Sequence, residues 1–93
     1  MFKTNEYFDG KVKSIAFQTE TLPATVGVMA TGEYTFNTAE KEKMTVVSGS
    51  LSIIMPGNTA AQTFSSGESF DIAANSSFNV TANSETAYLC LYG

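Results

Sequence analysis

Apolar and polar residues alternate with a period of two along most of the chain, the pattern of half-buried β-strands. From Lys11 to Gln18 the apolar content is Val12, Ile15 and Phe17, and the alternation breaks around Ser14, so a bulge is expected there. Ala24, Val26, Val28 and Ala30 then alternate with Thr25, Gly27 and Met29. The stretch GEYTFNTAEKEKMTVVSGSL, Gly32 to Leu51, reads as a hairpin-like pair of strands around a charged corner, Glu40 to Lys43. Tyr34 and Phe36 share one face of its first arm, and Met44 and Val46 share one face of its second. Leu51, Ile53 and Met55 alternate in a further strand that stops at Pro56-Gly57. Shorter runs follow at Gln62 to Phe64, Phe70 to Ile72 and Phe78 to Val80, and Thr86 to Tyr92 closes the chain. Asn5 to Gly10 is an opening segment that ends in an Asp-Gly turn. No segment sustains a helical period. Eight or nine short strands with glycine at the turns predict an all-β sandwich or barrel.

Composition narrows the chemistry. At 93 residues the chain is one domain, 1–93. So small a chain buries only about two thirds of its unfolded surface, and pairing with a second copy would relieve both a small core and open sheet edges. A homodimer is therefore expected, with Met1 to Phe8 and the outer faces of the early strands as its contributors. The net charge of −4 and the lack of a basic stripe argue against nucleic acid as a partner. All five basic residues are lysines, and there is neither arginine nor histidine. That excludes a histidine triad, a histidine-liganded metal, an imidazole general base and an arginine phosphate fork. Cys90 stands alone in an apolar run, so it is expected to be a buried, inert thiol. No apolar run reaches the ~20 residues of a membrane helix, and the first residues lack the apolar core of a secretory signal. A soluble cytoplasmic protein without membrane contact is the expectation.

Glu42 and Gly49 are separated by six residues, the spacing of the first motif of cupin barrels. The second cupin motif can be counted from Gly67, which puts Ala73, Asn75 and Phe78 at its proline, second glycine and histidine positions. The first motif's two metal-binding histidines would fall near Phe36 and Thr38, and only Glu42 keeps its identity. One carboxylate does not hold a transition metal with useful affinity. The resemblance thus implies a single small cupin-like (jelly-roll) β-barrel with no metal and no cofactor.

Four stretches resemble the small cupin-like pyrimidine/purine nucleoside phosphorylase family: NEYFDGKVKSIAF, ATVGVMATGEYTF, EKMTVVSGSL and YLCLY. The resemblance runs over nearly the whole chain; Leu91 stands where a basic residue is expected in some members. It implies phosphorolysis of purine and pyrimidine nucleosides to free base and pentose 1-phosphate, a pentosyl transfer with inorganic phosphate as co-substrate. Such a reaction needs an anion site, partners for the ribose hydroxyls and a flat apolar slot. Lys11 and Lys13 share the strand face opposite Val12 and could attract phosphate; a solvated or edge-protecting face is the plainer reading of both. Glu42 is the candidate catalytic group, for ribose hydroxyls or for charge developing on the sugar, against a solvated corner. Tyr34, Phe36 and Phe78 could stack on a base, Thr38 lies at a former ligand position, and a hydroxyl of Tyr88, which shares a face with Cys90 and Tyr92, could donate to substrate. Core or dimer packing is the competing role for the aromatics. Two other classes stay open: a non-catalytic cupin-like protein that binds a small metabolite, and a structural interaction domain.

Overall fold

A computed structural model describes residues 1–93. It contains ten strands and no helix: β1 (Thr4–Tyr7), β2 (Val12–Gln18), β3 (Pro23–Met29), β4 (Gly32–Asn37), β5 (Glu42–Ser48), β6 (Ser50–Ile54), β7 (Ala61–Ser65), β8 (Ser69–Ile72), β9 (Ser77–Ala82) and β10 (Thr86–Tyr92). They form a six-stranded sheet, order β1-β2-β3-β10-β5-β8, and a four-stranded sheet, order β4-β9-β6-β7. After β3 the chain passes repeatedly from one sheet to the other, and every pairing is antiparallel. One apolar cluster fills the space between the inner faces, with Met29, Met44, Val46 and Tyr88 from the large sheet meeting Tyr34, Leu51, Ile53, Phe78 and Val80 from the small one.

The hydrogen-bonded ladders do not close into one barrel. Each sheet keeps two edge strands, and aromatic contacts bridge the seams between them. At one seam the rings of Phe64 (β7) and Phe70 (β8) lie 4.7 Å apart. At the other, Phe8 in the β1–β2 turn leans on Tyr34 at 4.9 Å and on Phe36 at 5.5 Å. Phe8 and Asp9 both have positive φ, 53° and 57°, rare for a bulky side chain; the two ring contacts hold Phe8 there.

Three expectations are corrected. The stretch from Gly32 to Leu51 is not a hairpin: β4 pairs with β9 in the small sheet, while β5 pairs with β10 and β8 in the large one. Its charged corner is the step between sheets. No bulge interrupts β2, whose ladders with β1 and β3 run in continuous register through Ser14. Ser14 breaks only the chemical alternation, since its side chain points inward beside Val12 and is 3% exposed. The irregularity falls instead in β10, between Ala87 and Tyr88. The opening segment is itself a strand, β1, paired along its length with β2.

In β3 the buried positions are Ala24, Thr25, Gly27 and Met29, whereas Val26 and Val28 face outward. Register explains this: Met29 pairs with the buried Val12, which sends Val26 to the outer side opposite Ile15. Gly49 closes the step from β5 to β6 at φ +101°, and a Cβ there would sit 2.5 Å from Thr86 Oγ1 and 2.9 Å from the Glu85 carbonyl. Both the backbone angle and the lack of space require glycine.

Candidate active site

A cavity of about 250 Å³ opens between the sheets at the end where β5 begins and β10 ends. All but one of its polar groups come from the six-stranded sheet: Tyr7 on β1, Ser14 on β2, Glu42 on β5, and Tyr88, Cys90 and Tyr92 on β10. Period-two alternation puts the three β10 side chains on one inner face. The four-stranded sheet supplies Phe36 and Asn37 from β4 and Phe78 from β9. The Phe36 and Phe78 rings stack with centroids 5.8 Å apart and planes 28° apart, because the two residues are direct partners in the β4–β9 ladder. Met29 and Met44 complete the apolar lining. The small-sheet wall is therefore chiefly a pair of phenylalanine rings beside the Asn37 amide, and the wall facing it carries tyrosine and serine hydroxyls, a thiol and a carboxyl.

Glu42 is half-buried and pairs with Tyr92 across the β5–β10 ladder. The Cys90 thiol donates to Glu42 Oε1 at 3.5 Å. Burial raises the Glu42 carboxyl above its usual 4.5; the thiol contact opposes this, and the charge of Glu40 adds to it. Burial also pushes the Cys90 thiol up to about 12, with the Glu42 carboxylate reinforcing the effect. Cys90 is thus a protonated donor rather than a nucleophile. The Tyr88 phenol rises to about 12, again through burial first, with a smaller opposing pull from the Ser14 hydroxyl. Burial likewise raises Tyr92, whose hydroxyl shares a 2.9 Å hydrogen bond with Thr25 Oγ1. Near neutral pH the site offers neutral donors around a single carboxyl group and no cation.

Of the residues singled out from the sequence, Glu42, Phe36, Phe78 and Tyr88 come together here. The other four do not line this cavity. Tyr34 is 5% exposed and its hydroxyl donates to the Ala30 carbonyl at 2.7 Å, so it is part of the core. Thr38 is 7% exposed; its hydroxyl donates to the Ala73 carbonyl at 2.7 Å and accepts from the Ser76 amide at 3.0 Å, clasping the β8–β9 corner. Lys11 and Lys13 border a separate groove with Ser48 and Glu85, and Lys13 lies 3.7 Å from Glu6 at the surface. No cluster of three histidine, cysteine or carboxylate side chains is placed to hold a metal. Tyr7, Ser14, Asn37, Met29 and Met44 were not singled out. Ser14 had a signal, the polar residue that interrupts the apolar pattern of its strand.

The family model described as pyrimidine/purine nucleoside phosphorylase matches residues 2–92. A Cellvibrio japonicus protein of that name is 66% identical over 92 residues, covering 99% of both chains. A Marinobacter nauticus protein of the same name is 59% identical over 93 residues, covering 100% of both. Among solved structures, a Vibrio parahaemolyticus protein of unknown function superposes with a TM-score of 0.95 at 48% identity, covering 100% of this chain and 99% of that one. An RmlC-like cupin from Shewanella frigidimarina superposes with a TM-score of 0.77 at 16% identity, covering 98% and 82%, which shows a shared fold. This cupin-like, all-β chain belongs to the pyrimidine/purine nucleoside phosphorylase family.

Proposed function

We propose that the chain is a pentosyltransferase that splits purine and pyrimidine nucleosides with inorganic phosphate, giving the free base and pentose 1-phosphate. Family membership supports the reaction, and the division of the cavity into an aromatic wall and a polar wall is the observation that carries it. A nucleoside has the same division, with a flat base on one side and a hydroxylated sugar on the other. Phe36 and Phe78 receive the base with few directional hydrogen bonds, which suits a slot that accepts both base classes. Glu42 receives the ribose hydroxyls and faces the anomeric carbon.

In the reaction the C1′–N bond breaks and its electron pair stays on the base nitrogen. A phosphate oxygen forms the new bond to C1′, and the proton of monohydrogen phosphate ends on the base. Positive charge grows on the sugar in between. A carboxylate in a partly desolvated cavity stabilises that charge more than it would in water. Lys11, just ahead of β2, and Lys13, on its outer side, act on phosphate by attraction at a distance and not by contact. No metal or cofactor takes part in this reading, and the protein acts in the cytoplasm. The two sheets work as one barrel, its seams bridged by aromatic rings. A second copy covers the outer face of the large sheet, where Ile15 pairs with Val26 beside the exposed Val28. Lys13 and Glu6 lie together at the rim of that patch and give it both charge signs, as a two-fold self-complementary interface requires.

The test is base release from uridine, inosine and adenosine, with and without phosphate, for wild type and Glu42→Gln. Phosphate-dependent release by wild type is expected, with kcat and kcat/KM both lower by on the order of 10²- to 10³-fold in the variant. Binding of nucleosides without any turnover would mean a metabolite-binding protein instead.

A further inference from the structure

Gly27 lies inside β3, where glycine has no side chain to pack and weakens a strand. Its φ is not in the left-handed range, so no turn demands it. What it supplies is room. A Cβ at Gly27 would sit 2.5 Å from the Tyr88 hydroxyl oxygen, 2.6 Å from Tyr88 Cζ and 2.7 Å from the Lys13 carbonyl oxygen. The Tyr88 phenol therefore crosses β3 directly over the glycine. Gly27 pairs with Tyr88 on one side and with Ser14 on the other, and Ser14 pairs with Asn5. Asn5, Ser14, Gly27 and Tyr88 thus form one row across β1, β2, β3 and β10. Asn5 Nδ2 donates to Ser14 Oγ at 3.5 Å.

From this row we infer that the hydroxyls of Ser14 and Tyr88 form the seat of the phosphate co-substrate, and that Gly27 is the positioning residue that aims the Tyr88 phenol at it. The inference rests on the phosphorolysis proposed above. Three features of the row support it. First, the amide of Asn5 occupies an acceptor site on Ser14 Oγ, so the serine proton points away from Asn5, toward the Tyr88 phenol and the cavity. Second, Tyr88 remains protonated near neutral pH, with its phenol at about 12, and so donates as well. Third, the row is displaced from the carboxyl group. Glu42 pairs with Tyr92, four residues along β10 from Tyr88, or roughly 13 Å between backbones at about 3.3 Å per residue. The Glu42 charge is felt at Tyr88, but only as the smallest of the influences on its phenol, so an anion in this cavity is favoured toward the Ser14–Tyr88 side. No lysine lines the cavity, so neutral donors must do what a cation does elsewhere.

The test uses the full chain at saturating inosine with phosphate varied. Tyr88→Phe and Ser14→Ala are small deletions of one hydroxyl each. Each is expected to raise the phosphate KM about tenfold or more, as for a lost hydrogen bond to a charged group, and to leave the inosine KM within about twofold. Gly27→Ala should raise the phosphate KM in the same way, yet add less than about twofold when made in the Tyr88→Phe background. Should Gly27→Ala fail to fold, the two hydroxyl deletions and calorimetric titration of wild type and Ser14→Ala with phosphate alone decide the matter. Natively folded Tyr88→Phe and Ser14→Ala with unchanged phosphate KM would overturn the seat while wild-type phosphorolysis stands. A rise in the inosine KM instead would overturn it in favour of ribose. Base release by wild type without phosphate would overturn the reaction and the seat together.

Discussion

Replacing Thr38 by valine separates a residue that builds the fold from one that touches substrate. The hydroxyl donates to the Ala73 carbonyl at 2.7 Å and accepts from the Ser76 amide at 3.0 Å, and the Thr38 amide donates to the Ser76 carbonyl at 2.8 Å. Valine keeps the shape and the backbone bond, so no cavity forms. The Ala73 carbonyl keeps a donor in the Ser76 hydroxyl. The Ser76 amide loses its acceptor. An orphaned buried donor costs ~1–3 kcal/mol, and Ser76 is only half-buried, so the low end, ~1 kcal/mol, applies. In a domain of this size that lowers Tm by about 4–8 °C. Melting followed by circular dichroism should show this drop, and kcat/KM for inosine at fixed phosphate should stay within about twofold. An unchanged Tm with turnover lost would mean the opposite, that Thr38 contacts substrate and does not clasp the corner.

Glu42 should also leave a signature in stability. Its folded-state pKa is raised above 4.5, so the native state binds the more protons and stability falls as pH rises from about 4.5 through the raised value. Urea unfolding of wild type and Glu42→Gln at pH 4 and pH 7 should show the variant gaining relative to wild type at pH 7; an advantage that does not grow with pH contradicts the burial argument. Activity should survive dialysis against chelator unchanged, and loss of turnover that returns with one added transition metal would refute metal independence. Light scattering at micromolar protein should give about 20 kDa, twice the 9.9 kDa chain mass, and a mass near 10 kDa counts against the second copy on the β2–β3 face.

The strands were largely legible because their pattern has a period of two, and a strand exposes its inner and outer residues in strict turn. Pairing was not legible. Nothing local in Gly32 to Leu51 says that β4 and β5 belong to different sheets, since their partners, β9 and β10, lie some 40 residues downstream. In β3, alternation alone could not tell which set faces in, and the more apolar pair, Val26 and Val28, turned out to face out. The cupin spacing located Glu42, Phe36 and Phe78 because those positions sit at fixed points on inward strand faces. It also pointed to Thr38, where the chain is already leaving β4 and its hydroxyl is taken by the β8–β9 corner. Tyr34 fell to the core for a similar reason, with its hydroxyl committed to Ala30. Lys11 and Lys13 were chosen by charge, and charge does not say which face of a sheet opens on a cavity. Ser14 and Gly27 carried the least conspicuous signal, a small polar residue and a glycine inside apolar strands, and both face the cavity side of the large sheet.

In the proposed reaction, the same burial that penalises Glu42 in the folded state gives it a use. A carboxylate at this position has one weak donor, the Cys90 thiol, and no cation. Its charge is therefore poorly compensated in the empty cavity, which is why its pKa rises. Uncompensated negative charge is what a sugar acquiring positive charge requires, because a lysine paired with Glu42 would weaken the field at the anomeric carbon. On this account the loss of stability on ionisation and the stabilisation of the transition state are two readings of one group. It follows that turnover should fall on the acid side as Glu42 takes up its proton, with a midpoint raised from the usual 4.5. An added cation is the decisive perturbation. Met44 borders Glu42 on the same inner face of β5, and Met44→Lys would bring an ammonium group beside the carboxylate. That variant should lower the Glu42 pKa and still lower kcat, a pairing of effects that a merely structural glutamate does not produce. If kcat instead held while the acid limb moved down, the field of Glu42 would not be what drives the reaction.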